Sequence, residues 1–378
     1  MKKFMKNHKG FVIMTIVLIM VIILMIVMNV LSNNSDIAEA WTRSFGKGYA
    51  NVFRTINEAF RLSLTEISVI SLIIFSIIYL SWGFCLLGNK KYWEAINRFL
   101  LVTLVIVSTI AVYDLSVGMA YKRKALPVDR YTGEIDKAKF KDIASYFVED
   151  MNHCVNELGI DEKGEIKAPY TDEILISNLR KEFAKLDNPY YFSIAPKAKP
   201  LLSSHLFTTV SIVGMYFGPL GEANYSTFST NGEKPFYIAH EMCHGLGVMR
   251  EDDAQILASE ICLRSSDPYI RYSAYYNTID RIIDLVILSD NKDDINYVNS
   301  LHSDDVLKNF HYIYEHWKGQ AFLADFGDKV NDWYLKTFGQ KEGTTSYIDT
   351  DTDVDDKGHV VSLSHYQSIY YRIYFEKN

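Results

Sequence analysis

Cysteine is scarce in this sequence and never paired at short range. Cys85, Cys154, Cys243 and Cys262 offer no spacing that builds a zinc knuckle or a dithiol redox motif, and no disulfide framework can be read from them. Buried free thiols are the expected state, against the alternative of a bridge between Cys154 and Cys262. A lysine and arginine stripe is also missing after about Tyr121, and with a formal net charge of -7 the chain lacks the electrostatic footprint of a nucleic-acid partner. Nor is there a glycine loop to cradle a phosphate, a serine-nucleophile motif, an internal repeat or a low-complexity tract. Phosphate-loop and serine-hydrolase chemistry therefore have no residues to stand on.

Hydrophobic length is abundant, and it lies in the first third of the chain. Residues 11–31 are apolar apart from Thr15 and Asn29, about the twenty that a helix needs to cross a bilayer, and Lys2, Lys3, Lys6 and Lys9 precede them. The run passes almost directly into Asn33 and Asn34, without the shorter apolar region and small-residue site of a cleaved signal, so it reads as an uncleaved anchor. Two further spans are expected at 67–87 and 99–117, joined by a short loop holding Lys90, Lys91 and Arg98. With the basic N-terminus in the cytoplasm, three crossings place the remainder outside, although Lys122, Arg123, Lys124 and Arg130 beyond the third span pull the other way. Residues 36–66 read as an amphipathic or re-entrant connection, with Trp41, Phe45, Tyr49, Val52, Phe53, Ile56 and Phe60 near helical spacing; a surface helix packed on the bundle is the alternative. The expectation is a multi-pass protein of the cell membrane, with a membrane domain over 1–120 whose partner is the lipid bilayer, and an extracytoplasmic domain over 121–378.

That second domain has a mainly helical pattern with a small β-sheet, an α+β arrangement. Helical periodicity covers 135–158 and 171–186. Between 206 and 217 the β-branched and aromatic residues Thr208, Thr209, Val210, Ile212, Val213, Tyr216 and Phe217 predict one or two strands, punctuated by Gly214 and ended by Gly218 and Pro219. From Pro235 onwards the pattern is again helical, with a start at Asp267 and Pro268 that pairs a capping residue with proline in the first turn.

His240, Glu241, Met242, Cys243 and His244 carry the chemistry. Residues four apart on a helix lie one turn above each other, so both imidazoles can reach one Zn²⁺, and the glutamate displaced sideways between them can hydrogen-bond a metal-activated water and take its proton. Pro235 suits the first turn of such a helix, Gly247 its stop, and Ile238, Ala239, Met242, Cys243 and Leu246 its apolar back. A third protein ligand must follow to leave the fourth position open. A third histidine at the metzincin spacing is excluded, because position 250 is Arg250, which stays protonated. A second helix over 251–263 would bury Ala254, Leu257, Ala258, Ile261 and Cys262. Glu251 shares the inward stripe of the two small alanines and is the favoured ligand, with Asp253 and Glu260 as poorer candidates.

Glu251, Asp252, Asp253, Ala254 and Gln255 resemble the glutamate, two residues, alanine and Asp/Asn that follow the paired histidines in several gluzincin families; Gln255 stands where that pattern has Asp or Asn. The longer stretch from Gly214 to Tyr275 resembles a bacterial family of three-span membrane proteins catalogued mainly as a domain of unknown function. The matching pieces are Gly214-Met215-Tyr216, Gly221-Glu222-Ala223-Asn224, Pro235-Phe236, Arg250-Glu251-Asp252 and Tyr272-Ser273-Ala274-Tyr275. The resemblance implies three N-terminal transmembrane helices followed by a zincin-like metallopeptidase domain, with no known substrate.

The expected function is therefore hydrolysis of peptide bonds in a peptide or protein substrate, with Zn²⁺ held by His240, His244 and Glu251, and Glu241 as general base. The strand near Tyr216 would pair with an extended substrate. Arg250, Tyr272 and Tyr275 could donate to an oxyanion, but an ion pair and helix packing explain them as well. The non-enzymatic alternative is a catalytically silent membrane receptor or assembly protein that keeps the zinc-bound fold. An intramembrane protease is disfavoured because Asn231, Gly232, Glu233 and Lys234 interrupt any apolar run before the histidines. The alternating Asp349, Asp351, Asp353 and Asp355 read as an exposed acidic turn, since Val354 and Val360 occupy the glycine and glutamate positions of a calcium loop. His302, His311, His316, His359, His365, Trp317 and Trp333 read as surface or packing residues.

Overall fold

The computed structural model describes residues 8–192, 194–289, 291–319, 324–337, 352–356 and 359–377. Lys2, Lys3, Lys6, Asp349 and Asp351 lie outside the described residues. The chain divides into two compact units, one formed by Met1–Lys124 with Phe217–Glu222, the other by Ala125–Tyr216 with Ala223–Asn378.

The first unit is built on three helices long and apolar enough to cross a membrane: α1 (Lys9–Ser32), α4 (Leu64–Gly88) and α5 (Tyr92–Ser116). At 1.5 Å per residue even the 24 residues of α1 reach about 36 Å, more than the hydrocarbon core requires. α5 packs against both of the others. Gly83 makes the α4 contact possible, because a Cβ there would lie 2.6 Å from the Phe99 ring. The loop between α4 and α5 is shorter than expected. Arg98 lies within α5, where its guanidinium sits 3.9 Å from the Trp82 ring centre, so cation–π attraction and helical hydrogen bonding keep it out of the turn.

Between α1 and α4 the chain stays helical through α2 (Ser35–Trp41), a π-helical turn (Thr42–Gly46) and α3 (Lys47–Glu58). Asn34 caps α2 and Ser63 caps α4, each accepting from backbone N–H groups of the first turn. Glu222 adds a carboxylate at the same α4 terminus, accepting from Leu64 N at 3.2 Å, Thr65 N at 2.9 Å and Thr65 Oγ1 at 3.1 Å, where the helix dipole favours negative charge. Buried Arg123 makes two 2.8 Å hydrogen bonds to Glu39.

The second unit is mainly helical around a small sheet. α6 (Phe140–Leu158) buries Phe140, Ile143, Ala144, Phe147, Val148, Met151, Cys154 and Val155, the three-and-four spacing of one helical face. That face packs on α11 (Pro268–Ile287), whose Tyr275 hydroxyl donates to Asp150 at 2.6 Å while Arg271 pairs with the same carboxylate at 2.7 Å. α7 (Asp172–Phe183), α9 (Lys234–Gly245) and α10 (Glu251–Arg264) complete the layer around the site, and α12 (Lys292–Ser300), α13 (Asp304–Trp317), α14 (Ala324–Thr337) and α15 (His365–Lys377) follow. Asp267 caps α11 as its spacing predicts. All four cysteines are free thiols, and Cys154, Cys243 and Cys262 are buried.

The sheet has β1 (Lys199–Leu201), β2 (Gly214–Phe217) and β3 (Glu222–Ser226) in the order β1-β3-β2. β1 and β3 are parallel, with Lys199 opposite Asn224 and Leu201 opposite Ser226. The strand expected over 206–217 is shorter than the β-branched content predicts. Ser204–Thr208 form a short helix, α8, because hydroxyls return to carbonyls one turn back: Thr208 Oγ1 to His205 O at 2.9 Å and Thr209 Oγ1 to Leu206 O at 2.7 Å. Ser211 then adopts a left-handed φ of 62°, and the strand begins only at Gly214. A second, antiparallel pair, β4 (Asp353–Val354) with β5 (Val360–Ser362), occupies the end of the acidic stretch. There Asp355 accepts from His359 N, so the described part of that stretch is a turn device.

Candidate metal centre

The site is assembled by two consecutive helices. α9 starts beside Glu233 and Pro235 and buries Phe236, Ile238, Ala239, Met242 and Cys243. It stops at Gly247, whose φ of 85° reverses the chain so that Gly247 N reaches His244 O and Val248 N reaches Cys243 O. The reversal brings the Val248 carbonyl back to His244 Nδ1 at 2.8 Å. Nδ1 must donate there, which leaves Nε2 as the ring nitrogen available to a metal ion. α10 starts at Glu251 after Arg250 in extended conformation, and fully buried Ala254 and Ala258 let it lie close against α9.

Three donor atoms converge. His240 Nε2 is 3.0 Å from Glu251 Oε2 and 3.2 Å from His244 Nε2, and His244 Nε2 is 3.4 Å from the same carboxylate oxygen. An ion held tetrahedrally at 2.0–2.1 Å needs its ligand atoms about 3.3 Å apart, so these separations fit Zn²⁺. His240, His244 and Glu251 form the group of metal-ligating side chains found among the described residues, and all three are buried. Electron-rich atoms this close repel unless a proton or a metal ion sits between them.

The electrostatics follow from that crowding. Burial pushes the Glu251 carboxyl up, but the charge and hydrogen bonds of His244 and His240 outweigh it and hold it well below the usual carboxylate range. Burial depresses His244, yet Glu251 beside it wins and raises the imidazole to about 9. Glu241 differs. Its burial lifts it to about 7 against the pull of both histidines. A cation held by its three neighbours would favour the ionised form.

The other candidate residues are engaged elsewhere. Arg250 pairs with Asp252 at 2.7 Å and with Asp253 at 3.5 Å, and Glu260 pairs with Arg264 and, at 3.8 Å, Arg372. Tyr272 donates to Asn309 and Tyr275 to Asp150, both inside the core. His240 Nδ1 is buried without a hydrogen-bond partner among the described residues, so Gln255, one turn beyond Glu251, does not buttress it.

Two features escaped the sequence pattern. One is the Val248 carbonyl, a backbone group with no residue-type signal. The other is the place of Gly214, the first residue of β2, where a Cβ would lie 2.4 Å from Glu241 Oε1 and 2.7 Å from its Cγ. β2 is an edge of the three-stranded sheet, and its Tyr216 ring lies 6.3 Å from the His244 ring.

A family model described as "Protein of unknown function (DUF3810)" matches residues 41–350. The chain belongs to that family. The match takes in α3, α4 and α5 as well as both helices of the candidate centre. No curated protein and no solved structure matches the chain.

Proposed function

We propose that this protein is a membrane-bound, zincin-like metallopeptidase that hydrolyses peptide bonds with Zn²⁺ held by His240, His244 and Glu251. The observation that carries the reading is the convergence of these three buried donors at 3.0–3.4 Å, beside a further buried acid, Glu241. When bound, Zn²⁺ supplies Lewis-acid activation of water and of the scissile carbonyl. Glu241 is the proton carrier: its carboxylate takes a proton from the attacking water and passes it to the leaving amine. The edge strand β2 binds an extended substrate by adding it to the sheet through main-chain hydrogen bonds. Metal analysis and peptide cleavage by the full chain and its Glu241→Gln variant test the assignment. Equal turnover in the two would move the catalysis elsewhere, and zinc in both with turnover in neither would make the protein a silent receptor or assembly factor.

Gly214 positions Glu241. In Gly214→Ala the new methyl overlaps the carboxylate, which sits at the end of a flexible side chain and moves away. A displacement of about 1 Å costs roughly 10²-fold in rate. The expected result is a kcat lowered by about that factor with an altered acid limb of the pH profile, zinc content unchanged and Tm within a few degrees of wild type. A KM effect alone, or loss of zinc, would count against the role.

The second unit lies outside the cytoplasm in this reading. Lys9, Lys90 and Lys91 gather at one end of the three spans with Trp93, whose ring lies 4.2 Å from that of His8. At the opposite end Arg123 is bonded to Glu39 and Lys124 to Asp36 at 2.7 Å. Cysteines placed at Lys90 and Lys308 should react with an impermeant reagent from opposite sides of sealed vesicles, Lys308→Cys from the outside. The reverse pattern would put the site in the cytoplasm.

A further inference from the structure

The helical connection between the first two spans is amphipathic in the sense opposite to that of a helix facing water. Along α3 and its surroundings, one stripe carries Thr42, Gly46, Ala50, Arg54 and Asn57, and it is buried, Arg54 with 4% and Asn57 with 3% exposure. This polar-rich face is held inside its own unit. Asn57 Nδ2 donates to Leu220 O, Tyr49 OH donates to Pro219 O at 2.8 Å, and Gly221, with a φ of 60°, brings its backbone against Ala50. The opposite stripe, at spacings of seven and four, carries Phe45, Val52 and Ile56, and continues into Phe60 past the helix end. Val52 is 58% exposed, and Ile56 and Phe60 50% each. Burying arginine and asparagine while leaving valine, isoleucine and phenylalanine outside is unfavourable in water and favourable where the outside is hydrocarbon.

Chain connectivity identifies the occupant. Two residues separate the end of α1 at Ser32 from the start of α2 at Ser35, and five separate Glu58 from Leu64, where α4 begins. Both neighbours cross the membrane in the reading given above, so both ends of the connection are pinned to one membrane face. Arg43, Lys47 and Arg61 flank the stripe, with the reach to place their charges among headgroups.

We propose that residues 35–58 form an interfacial helical segment that, with the turn after it, lays Phe45, Val52, Ile56 and Phe60 into the boundary between acyl chains and headgroups at this end of the bundle. The test uses the full chain in phosphatidylcholine vesicles, with Cys85→Ser removing the exposed native thiol. An environment-sensitive fluorophore is placed at Val52→Cys or Ile56→Cys, with Lys308→Cys as a water-facing control. Lipids spin-labelled near the headgroup should quench both stripe positions several-fold more strongly than they quench the control, and aqueous iodide several-fold less. Iodide quenching equal to the control would show a water-facing helix. Strongest quenching by lipids labelled deep in the chain would show a re-entrant segment, and quenching by neither reagent would show a protein partner, such as a second copy, over the stripe. Each of these three outcomes overturns the proposal.

Discussion

With Glu241 replaced by glutamine, the purified protein is expected to retain zinc and to lose peptide cleavage by about 10²–10⁴-fold, the usual contribution of a positioned general base. Glutamine preserves the shape that packs against Gly214 but has no lone pair basic enough to take a proton. The same variant carries a second signature. Burial raises the Glu241 carboxyl from 4.5 to about 7, so in the metal-free protein ionising it costs stability progressively as pH rises through that interval. Removing the charge should therefore stabilise metal-free Glu241→Gln over metal-free wild type above pH 7, by about 3 kcal/mol at most, with no difference below pH 4.5. Thermal unfolding after chelation, at pH 4 and at pH 8, measures this. A variant less stable at pH 8 would mean that Glu241 supports the fold, and would weaken its assignment as a strained catalytic group.

Glu251→Ala should abolish tight metal binding. Zinc sites with four protein ligands bind with roughly 10–16 kcal/mol, or about 3 kcal/mol per ligand, so losing one of three weakens zinc on the order of 10²–10³-fold. Competition with a chromophoric chelator reads the change directly. The loss extends to the metal-free fold, because Glu251 holds the facing imidazoles of His240 and His244 at 3.0 and 3.4 Å. Breaking a buried pair by deleting one partner costs about 3–5 kcal/mol. Glu260→Ala is the control: its carboxylate pairs with Arg264 and Arg372, and it should leave zinc affinity unchanged. If instead Glu260→Ala loses the metal while Glu251→Ala keeps it, the third ligand has been misassigned.

Much of this site was legible because helix geometry is local. The four-residue spacing of His240 and His244 places both rings on one face before any tertiary contact forms, and the small residues Ala254 and Ala258 on the stripe of Glu251 mark it as the inward acid. Gly247 marked the end of the histidine helix for an equally local reason, a left-handed φ that a side chain disfavours. The strand boundary at Gly214 was not legible. Thr208 and Thr209 have strand-forming side chains, but their hydroxyls bond to carbonyls three residues back, and that choice depends on the surrounding chain. Arg98 was misplaced into a loop for a similar reason: its partner, Trp82, lies on another helix.

By itself the sequence determined the three apolar helices, the mainly helical second unit and the identity of the converging donors, because each follows from periodicities of a few residues. Tertiary structure decided what those residues meet. It set the spacing of His240, His244 and Glu251, the backbone carbonyl that orients His244, and the burial that lifts Glu241. It also decided which stripe of α3 faces outward. Val248 lies only four residues from His244, and Glu251 eleven from His240, but the energies of these contacts depend on burial, which no local pattern encodes.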